Sequence, residues 1–140
     1  MKKLNVGLIG CGSISSIYFE TCNKLEATQI TACADLFFDR AQAKAKEFNI
    51  PKACTVDEML KDPAIDIILN LTIPKAHAEV ALAAIKAGKH VYGEKPLATN
   101  RADGLKILDA AKRKKLRVGS APDTFLGGGI QTCRKLIDDG

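Results

Sequence analysis

The sequence lacks tryptophan, and aromatic residues make up only 5% of its 140 residues. This scarcity argues against a nucleic-acid-binding protein, in which aromatic side chains stand among basic ones. The formal net charge is +5, but the main basic run, residues 112–117, contains no aromatic residue. Because that run ends a predicted helix, its charges complement the helix dipole. We therefore expect no nucleic-acid partner.

Long hydrophobic runs are also missing. Only residues 4–9 lie between the basic N-terminus and Gly10-Cys11, whereas a secretory signal needs roughly 7–15 apolar residues. No later run approaches the roughly 20 apolar residues that span a bilayer. The sequence therefore predicts a cytoplasmic protein with no membrane partner.

The five cysteines are odd in number and form no C-x-x-C motif. Neither a disulfide framework nor a zinc site is predicted, and we expect no metal. Cys22, Cys33 and Cys54 are expected in the core as small apolar side chains. Cys11 stands between two glycines at the start of a predicted helix, whose dipole lowers the pKa of a thiol. Two interpretations of Cys11 stay open: a reactive thiol that a cofactor covers, or a filler of the turn.

Apolar runs alternate with helical patterns along the chain. The predicted strands are residues 4–9, 29–34, 52–54, 65–71, 90–92 and 117–120. The predicted helices are residues 14–25, 39–48, a short helix that the capping box 55–58 opens, 74–88, 100–114 and 130–138. This alternation predicts an α/β domain over residues 1–120, with a doubly wound, mostly parallel sheet of the Rossmann type.

A glycine turn joins the first predicted strand to the first helix. Gly10 permits the tight turn, and Gly12 lets backbone N–H groups approach a diphosphate. Ser13 and Ile14 complete the turn, and the helix that begins there directs its positive end at the anion. Asp35 ends the second strand, where a carboxylate binds the ribose hydroxyls of adenosine and repels a 2′-phosphate. The pattern predicts a dinucleotide site for NAD, with NADP possible; a turn-capping acid is the alternative interpretation of Asp35.

Further cofactor contacts are expected near other strand ends. Arg40 is close enough in sequence to contact the adenine side and to soften the preference against NADP. Thr72, Ile73 and Pro74 follow the long apolar run, at the edge where open α/β sheets bind ligands. His77 lies one helical turn further on and is included among the cofactor contacts, although a lone histidine is as often a packing or surface residue.

Glu94 and Lys95 directly follow the fifth strand, which places them at the ligand edge of the sheet. Glu94 can hold a ribose, and Lys95 can polarise a substrate oxygen. As a general acid–base, Lys95 needs a lowered pKa, which burial near a cationic nicotinamide ring supplies. A solvated loop is the alternative interpretation of the Glu-Lys-Pro tripeptide.

These motifs occur in the order typical of one family. The glycine turn, Asp35, residues 72–77, residues 87–91 and residues 94–96 together resemble the amino-terminal NAD(P)-binding domain of the glucose–fructose oxidoreductase / inositol 2-dehydrogenase (Gfo/Idh/MocA) family. The resemblance implies an oxidoreductase that transfers hydride between a nicotinamide cofactor and a sugar, polyol or related hydroxyl substrate. It also implies that Lys95 assists proton transfer and that the bond before Pro96 is cis.

The chain departs from the family pattern in two places. Ser15 replaces the third glycine of the turn, and serine is small enough that we expect little damage. The second domain of the family is missing, so residues 121–140 are expected to be a hinge and the leading helix of that domain. Such a chain binds cofactor but turns over poorly, and its exposed docking edge favours a homo-oligomer.

Two other functions stay open. A non-catalytic dinucleotide-binding or redox-sensing module needs the glycine turn and Asp35 but not Lys95. A methyltransferase that uses adenosylmethionine also carries an acid after its second strand, but the diphosphate-type turn and the Glu-Lys-Pro segment argue against it.

Overall fold

The computed structural model describes residues 3–140, in which six strands and six helices alternate. The strands are β1 (Leu4–Ile9), β2 (Thr28–Ala34), β3 (Lys52–Ala53), β4 (Ile67–Asn70), β5 (His90–Glu94) and β6 (Val118–Ala121). The helices are α1 (Ser15–Lys24), α2 (Phe38–Glu47), α3 (Val56–Lys61), α4 (His77–Lys86), α5 (Arg101–Lys114) and α6 (Gly128–Asp139). None of these helices is long and apolar enough to cross a membrane.

All six strands lie in one parallel sheet, in the order β3-β2-β1-β4-β5-β6. The prediction of a parallel α/β sheet of the Rossmann type is confirmed. The chain leaves β1 toward β2 on one side and returns to β4 on the other. Loops at the carboxyl ends of β1 and β4 therefore diverge, and such a divergence opens a crevice that binds ligands.

Apolar side chains fill the space on both faces of the sheet. On the face of α1 and α2, Phe19 is fully buried and stacks on Phe48 with ring centroids 5.0 Å apart. On the opposite face, α3, α4 and α5 pack through Met59, Ile85 and Ile107, which are also fully buried. Burial of a large apolar side chain stabilises the fold by about 1.5–3 kcal/mol, so these two layers hold the strand ends in place.

One part of the sheet is left open by the described helices. Tyr92 of β5 lies in register with Leu69 of β4 and Gly119 of β6, and it is 44% exposed. A groove of about 670 Å³ lies here, between α1 and these strands. Because right-handed crossovers carry α4 and α5 to the other face, only the half of the sheet built from β1 to β3 is covered by helices on the α1 side.

The bounds of several elements differ from the predicted ones. The predicted strand 65–71 is paired only over Ile67–Asn70, although Ile65 and Leu71 are buried as well. Hydrophobicity reports burial and not backbone pairing, so the apolar run is longer than the strand. The predicted helix from Pro74 opens as a 3₁₀ turn, Pro74–Ala76. Gly88 follows the end of α4 and has a φ of +81°, as expected for a glycine just after a helix.

The predicted capping box at the start of α3 is confirmed. The Thr55 hydroxyl accepts from the Glu58 N–H at 3.2 Å, and a Glu58 carboxylate oxygen accepts from the Thr55 N–H at 2.8 Å. Thr55→Ala should lower the free energy of unfolding by about 1 kcal/mol, measured by urea denaturation. Thr55→Ser keeps the hydroxyl and is the control; an equal loss in both variants would contradict the role of the cap.

Candidate dinucleotide-binding crevice

The glycine turn between β1 and α1 is built as the sequence predicts. Gly10 has a φ of +104°, and its N–H donates to the Ala34 oxygen at 2.9 Å. A Cβ on Gly10 would lie 2.6 Å from the Leu71 carbonyl carbon, whereas a Cβ on Gly12 would meet no heavy atom within 4 Å. Backbone therefore passes tightly behind Gly10 and leaves open space in front of Gly12. That space, at the start of α1, is the candidate diphosphate cradle, because the N-terminus of a helix favours an anion, and a methyl group on Gly12 would intrude into it.

The residues after Gly12 start the helix. Ser13 and Ile14 are exposed, and Ile14 is the last residue before α1. Ser15 is fully buried, and its hydroxyl donates to the Gly12 oxygen at 2.6 Å. The hydroxyl of the serine that replaces the third glycine thus makes a hydrogen bond inside the turn. This agrees with the expectation that the replacement does little damage to the turn.

Asp35 connects the end of β2 to the glycine turn. One carboxylate oxygen accepts from the Cys11 N–H at 2.7 Å, and the other accepts from the Phe37 N–H at 2.9 Å. Asp35 is therefore a turn-capping acid, but each carboxylate oxygen has a second lone pair for a ribose hydroxyl. Arg40, in the first turn of α2, lies with its guanidinium carbon 4.7 Å from the centroid of the Phe37 ring. Arg40 thus brings a positive charge close to Asp35 along the chain.

The hypothesis of a reactive Cys11 is wrong. Cys11 is only 4% exposed, and its thiol lies 3.5 Å from the Ala34 oxygen. Contact with the Cys33 thiol and burial raise the pKa of Cys11 instead of lowering it. The side chain of Cys11 points into the core, while its backbone N–H faces Asp35. Packing of the turn therefore affects the pKa of the thiol more than the nearby helix dipole does.

We expect a thiol reagent at pH 8 to modify Cys133 and to leave Cys11 unmodified. Cys133 lies exposed on α6, whereas the raised pKa of Cys11 removes the reactive thiolate. Peptide mass mapping after brief treatment with iodoacetamide measures both sites, and added NAD should change neither. Modification of Cys11 at a rate comparable to Cys133 in the folded protein would contradict this result.

The loop after β4 is held by a buried polar side chain that sequence reasoning missed. Asn70 is 2% exposed; its oxygen accepts from the Thr72 hydroxyl at 2.7 Å, and its amide donates to the His77 oxygen at 3.0 Å. The available signal was a lone amide inside the apolar run 65–71. Ile73 and Pro74 are exposed beyond it. This network fixes the backbone of residues 72–74 at the edge of the crevice.

His77 lies behind this loop and not at its surface. The ring is 3% exposed, with Nδ1 2.6 Å from the Pro96 oxygen and Nε2 2.9 Å from the Thr72 oxygen. Both ring nitrogens are thereby occupied by main-chain carbonyls, and the direct cofactor contact expected of His77 does not fit this geometry. The histidine instead joins the loop after β4 to the loop after β5.

Glu94 and Lys95 lie at the carboxyl end of β5, as expected. One Glu94 oxygen accepts from the Lys95 N–H at 3.1 Å, and the other accepts a short hydrogen bond from the Tyr18 hydroxyl. Tyr18 is a second residue that sequence reasoning missed. The Lys95–Pro96 bond is cis, which confirms the expectation. Lys95 is exposed, so the protein residues described here do not supply the burial expected around its side chain.

The candidate residues follow one another along the carboxyl edge of the sheet. Asp35 stands at the end of β2, the glycine turn at β1, Thr72 after β4, and Glu94 at β5. A carboxylate, an open turn at the start of a helix and a polar far end are the arrangement typical of a site for an extended ligand with a diphosphate at its centre. The fold and the site define a dinucleotide-binding domain of the Rossmann type.

Comparison with known proteins identifies the family. Residues 4–121 match the model of the GFO_IDH_MocA oxidoreductase family, described as an NAD-binding Rossmann fold. The chain is 31% identical over 111 residues to myo-inositol 2-dehydrogenase of Thermotoga maritima, covering 79% of this chain and 33% of that protein. It is 34% identical over 144 residues to inositol 2-dehydrogenase of Gluconacetobacter diazotrophicus, covering 98% and 42%. The chain belongs to the Gfo/Idh/MocA family and spans less than half the length of these relatives.

Solved structures agree with this assignment. Biliverdin reductase of Synechocystis, solved with biliverdin and NADP+, has a TM-score of 0.89 and 28% identity over 96% of this chain and 43% of that one. A 3-ketoreductase of Actinomadura kijaniata, solved with NADP and TDP-benzene, has a TM-score of 0.88 and 26% identity over 99% of this chain and 43% of that one. The family match and these neighbours support NAD or NADP as the cofactor.

Proposed function

We propose that the crevice binds NAD with its diphosphate over Gly12 and its adenosine ribose on Asp35. The observation that carries this proposal is the contrast between the two glycines: packed backbone behind Gly10 and open space in front of Gly12. Ser13 and Ile14 bring the backbone at the start of α1 to the diphosphate. Ile73 and Pro74, which are exposed in the loop after β4, would contact the dinucleotide beside it.

The carboxylate of Asp35 favours NAD over NADP. It is held by two N–H donors, and a negative charge held in place repels a 2′-phosphate. Arg40 reduces this preference because its cation lies at the adenosine end, over Phe37. Calorimetric titration of the 140-residue chain with NAD and with NADP tests both points. Tighter binding of NAD is expected; tighter binding of NADP would overturn the role of Asp35, and no binding of either would overturn the function.

The proposed reaction, in a protein that also carries a substrate domain, is hydride transfer between nicotinamide and a hydroxyl-bearing carbon of a sugar or polyol. The bound cofactor supplies the hydride acceptor or donor. Lys95 holds or takes the hydroxyl proton of the substrate, and Glu94 holds the backbone N–H of Lys95 at 3.1 Å. The inositol dehydrogenase relatives support this substrate class. Residues 121–140 are the hinge and leading helix toward the substrate domain, in agreement with the exposure of α6 along its length.

Lys95→Ala should separate binding from turnover. We expect NAD affinity of the 140-residue chain to change less than about twofold, since Lys95 follows β5, which β4 separates from the glycine turn after β1. In a chain that carries the substrate domain, loss of a general acid–base should lower kcat about 10²- to 10⁴-fold. Lys112→Ala, on the exposed face of α5, is the matched control. Unchanged kcat would defeat the role of Lys95, and a complete lack of turnover in the parent would favour a dinucleotide-sensing module.

A further inference from the structure

Tyr18 makes a contact that the function proposed above does not explain. Its hydroxyl donates to Glu94 across a sequence separation of 76 residues. We propose that Tyr18 is a positioning residue, which orients Glu94 for the nicotinamide half of the dinucleotide and has no part in binding the adenosine half. This inference rests on the proposed function, because it assumes that the crevice binds NAD.

The position of Tyr18 is set by its neighbours in α1. The helix begins at Ser15, directly after the diphosphate cradle, and Phe19 anchors it in the core at 0% exposure. Tyr18 stands beside this anchor and reaches across the open groove to the end of β5. The ring of Tyr18 lies about one helical turn after the cradle, on a helix that Phe19 anchors. It therefore keeps the distance between the diphosphate and Glu94 constant.

Glu94 is held at both of its oxygens. Oε1 accepts from the Tyr18 hydroxyl, and Oε2 accepts from the Lys95 N–H at 3.1 Å. The two donors together select one orientation of the carboxylate, which a single donor leaves free to rotate. Hydrogen bonds to a charged acceptor are among the stronger ones in proteins, so removal of the Tyr18 hydroxyl should release Glu94.

The electrostatics keep Tyr18 a donor. Burial and the hydrogen bond to Glu94 raise the pKa of the phenol, and the charges of Glu94 and Asp123 act in the same direction. The phenol is therefore neutral throughout the range in which dinucleotides are handled. Glu94 therefore faces a hydrogen-bond donor, the Tyr18 hydroxyl, and not a second anion.

The layout of the sheet explains why the effect should be confined to one half of the ligand. Asp35 stands at the end of β2 and Glu94 at the end of β5, with β1 and β4 between them. With the diphosphate at β1 and adenosine on Asp35, the nicotinamide ribose extends toward Glu94. A contact that only stabilises the fold would affect both halves of the ligand alike. A contact that orients Glu94 affects the nicotinamide half alone.

The test compares NAD with ADP, which keeps the adenosine and the diphosphate but lacks both the nicotinamide and its ribose. Calorimetry measures both ligands on the parent chain, Tyr18→Phe and the control Tyr92→Phe. Tyr92 lines the same groove but is half-exposed on the open face. We expect Tyr18→Phe to weaken NAD about tenfold, in line with one hydrogen bond to a charged group, and to change ADP less than about twofold. Tyr92→Phe should change neither ligand.

The outcomes separate the two proposals. If the parent chain binds neither ligand, the proposed function fails. If the parent binds both and Tyr18→Phe weakens both equally, or weakens neither, the positioning role is overturned while the NAD site stands. Thermal unfolding of each variant verifies that it is folded.

A second measurement avoids substitution of Tyr18. The chain has two tyrosines, so Tyr18 is the only one left in Tyr92→Phe, and isotope-labelled tyrosine then reports on its ring by NMR. NAD should shift that ring signal more than ADP does. Equal shifts with the two ligands would contradict the inference even if Tyr18→Phe failed to fold.

Discussion

Gly10→Ala is expected to lower the free energy of unfolding by about 3 kcal/mol or more, through a strained backbone and a steric clash. The φ of +104° is unfavourable for any residue with a Cβ. The new Cβ would also lie 2.6 Å from the carbonyl carbon and oxygen of Leu71 and 2.8 Å from the Thr72 nitrogen. Because all three are backbone atoms, no side-chain rotation relieves the contact. Urea denaturation of the purified variant measures the loss.

Gly12→Ala is the matched control, two residues away in the same turn. A Cβ there meets no heavy atom within 4 Å, so stability should change by less than about 1 kcal/mol. The methyl group nevertheless occupies the proposed diphosphate cradle. NAD affinity should therefore fall at least about tenfold, which is the effect of losing one N–H hydrogen bond to a charged group. A stable Gly10→Ala protein, or normal NAD binding by Gly12→Ala, would contradict the division of roles between the two glycines.

Asp35→Asn is expected to reverse or abolish the preference for NAD. An amide offers one carbonyl oxygen where the carboxylate accepts from both Cys11 and Phe37, so one donor loses its partner. This loss should cost about 1–2 kcal/mol of stability. The amide also removes the charge that repels a 2′-phosphate. The affinity ratio of NADP to NAD should therefore rise about tenfold or more, since one repulsive charge contact is worth over 1 kcal/mol.

Calorimetry with the two nucleotides, together with urea denaturation, checks both effects. Asp39→Asn is the control, because Asp39 is an exposed acid in the first turn of α2, only a few residues from Asp35. It removes the same charge without touching the glycine turn. If Asp39→Asn moved the NADP to NAD ratio as far as Asp35→Asn does, general electrostatics and not a ribose contact would account for the preference.

Much of the architecture could be read from local patterns. The bounds of β1 and the capping box at Thr55 were predicted as the structure has them, since strand alternation and cap chemistry involve residues close in sequence. The glycine turn and Asp35 could be located for the same reason: their roles follow from the ends of predicted strands. The length of β4 could not, because an apolar run does not say which of its residues pair with a neighbouring strand.

The errors concern individual environments. Cys11 was interpreted either as a thiol activated by a helix N-terminus or as a filler of the turn, and its side chain lies in the core against Cys33 of β2. His77 was included among the cofactor contacts with a packing role as the alternative, and main-chain carbonyl oxygens from two loops lie within hydrogen-bond distance of its two ring nitrogens. The orientation of a side chain depends on which distant residues the fold brings beside it, and the local pattern carries no information about these neighbours.

The amino-acid sequence by itself determined the order of strands and helices, the glycine turn and the acids at the strand ends, because these follow from periodicity and backbone chemistry over a few residues. Only the tertiary structure decided the burial of Cys11 and the contacts of the His77 ring with two loops. It also decided the contact of Tyr18 with Glu94 and the open face of β4, β5 and β6. Each of these depends on pairs of residues that are far apart in the chain and adjacent in space, and the packing of the sheet with its helices creates those pairs.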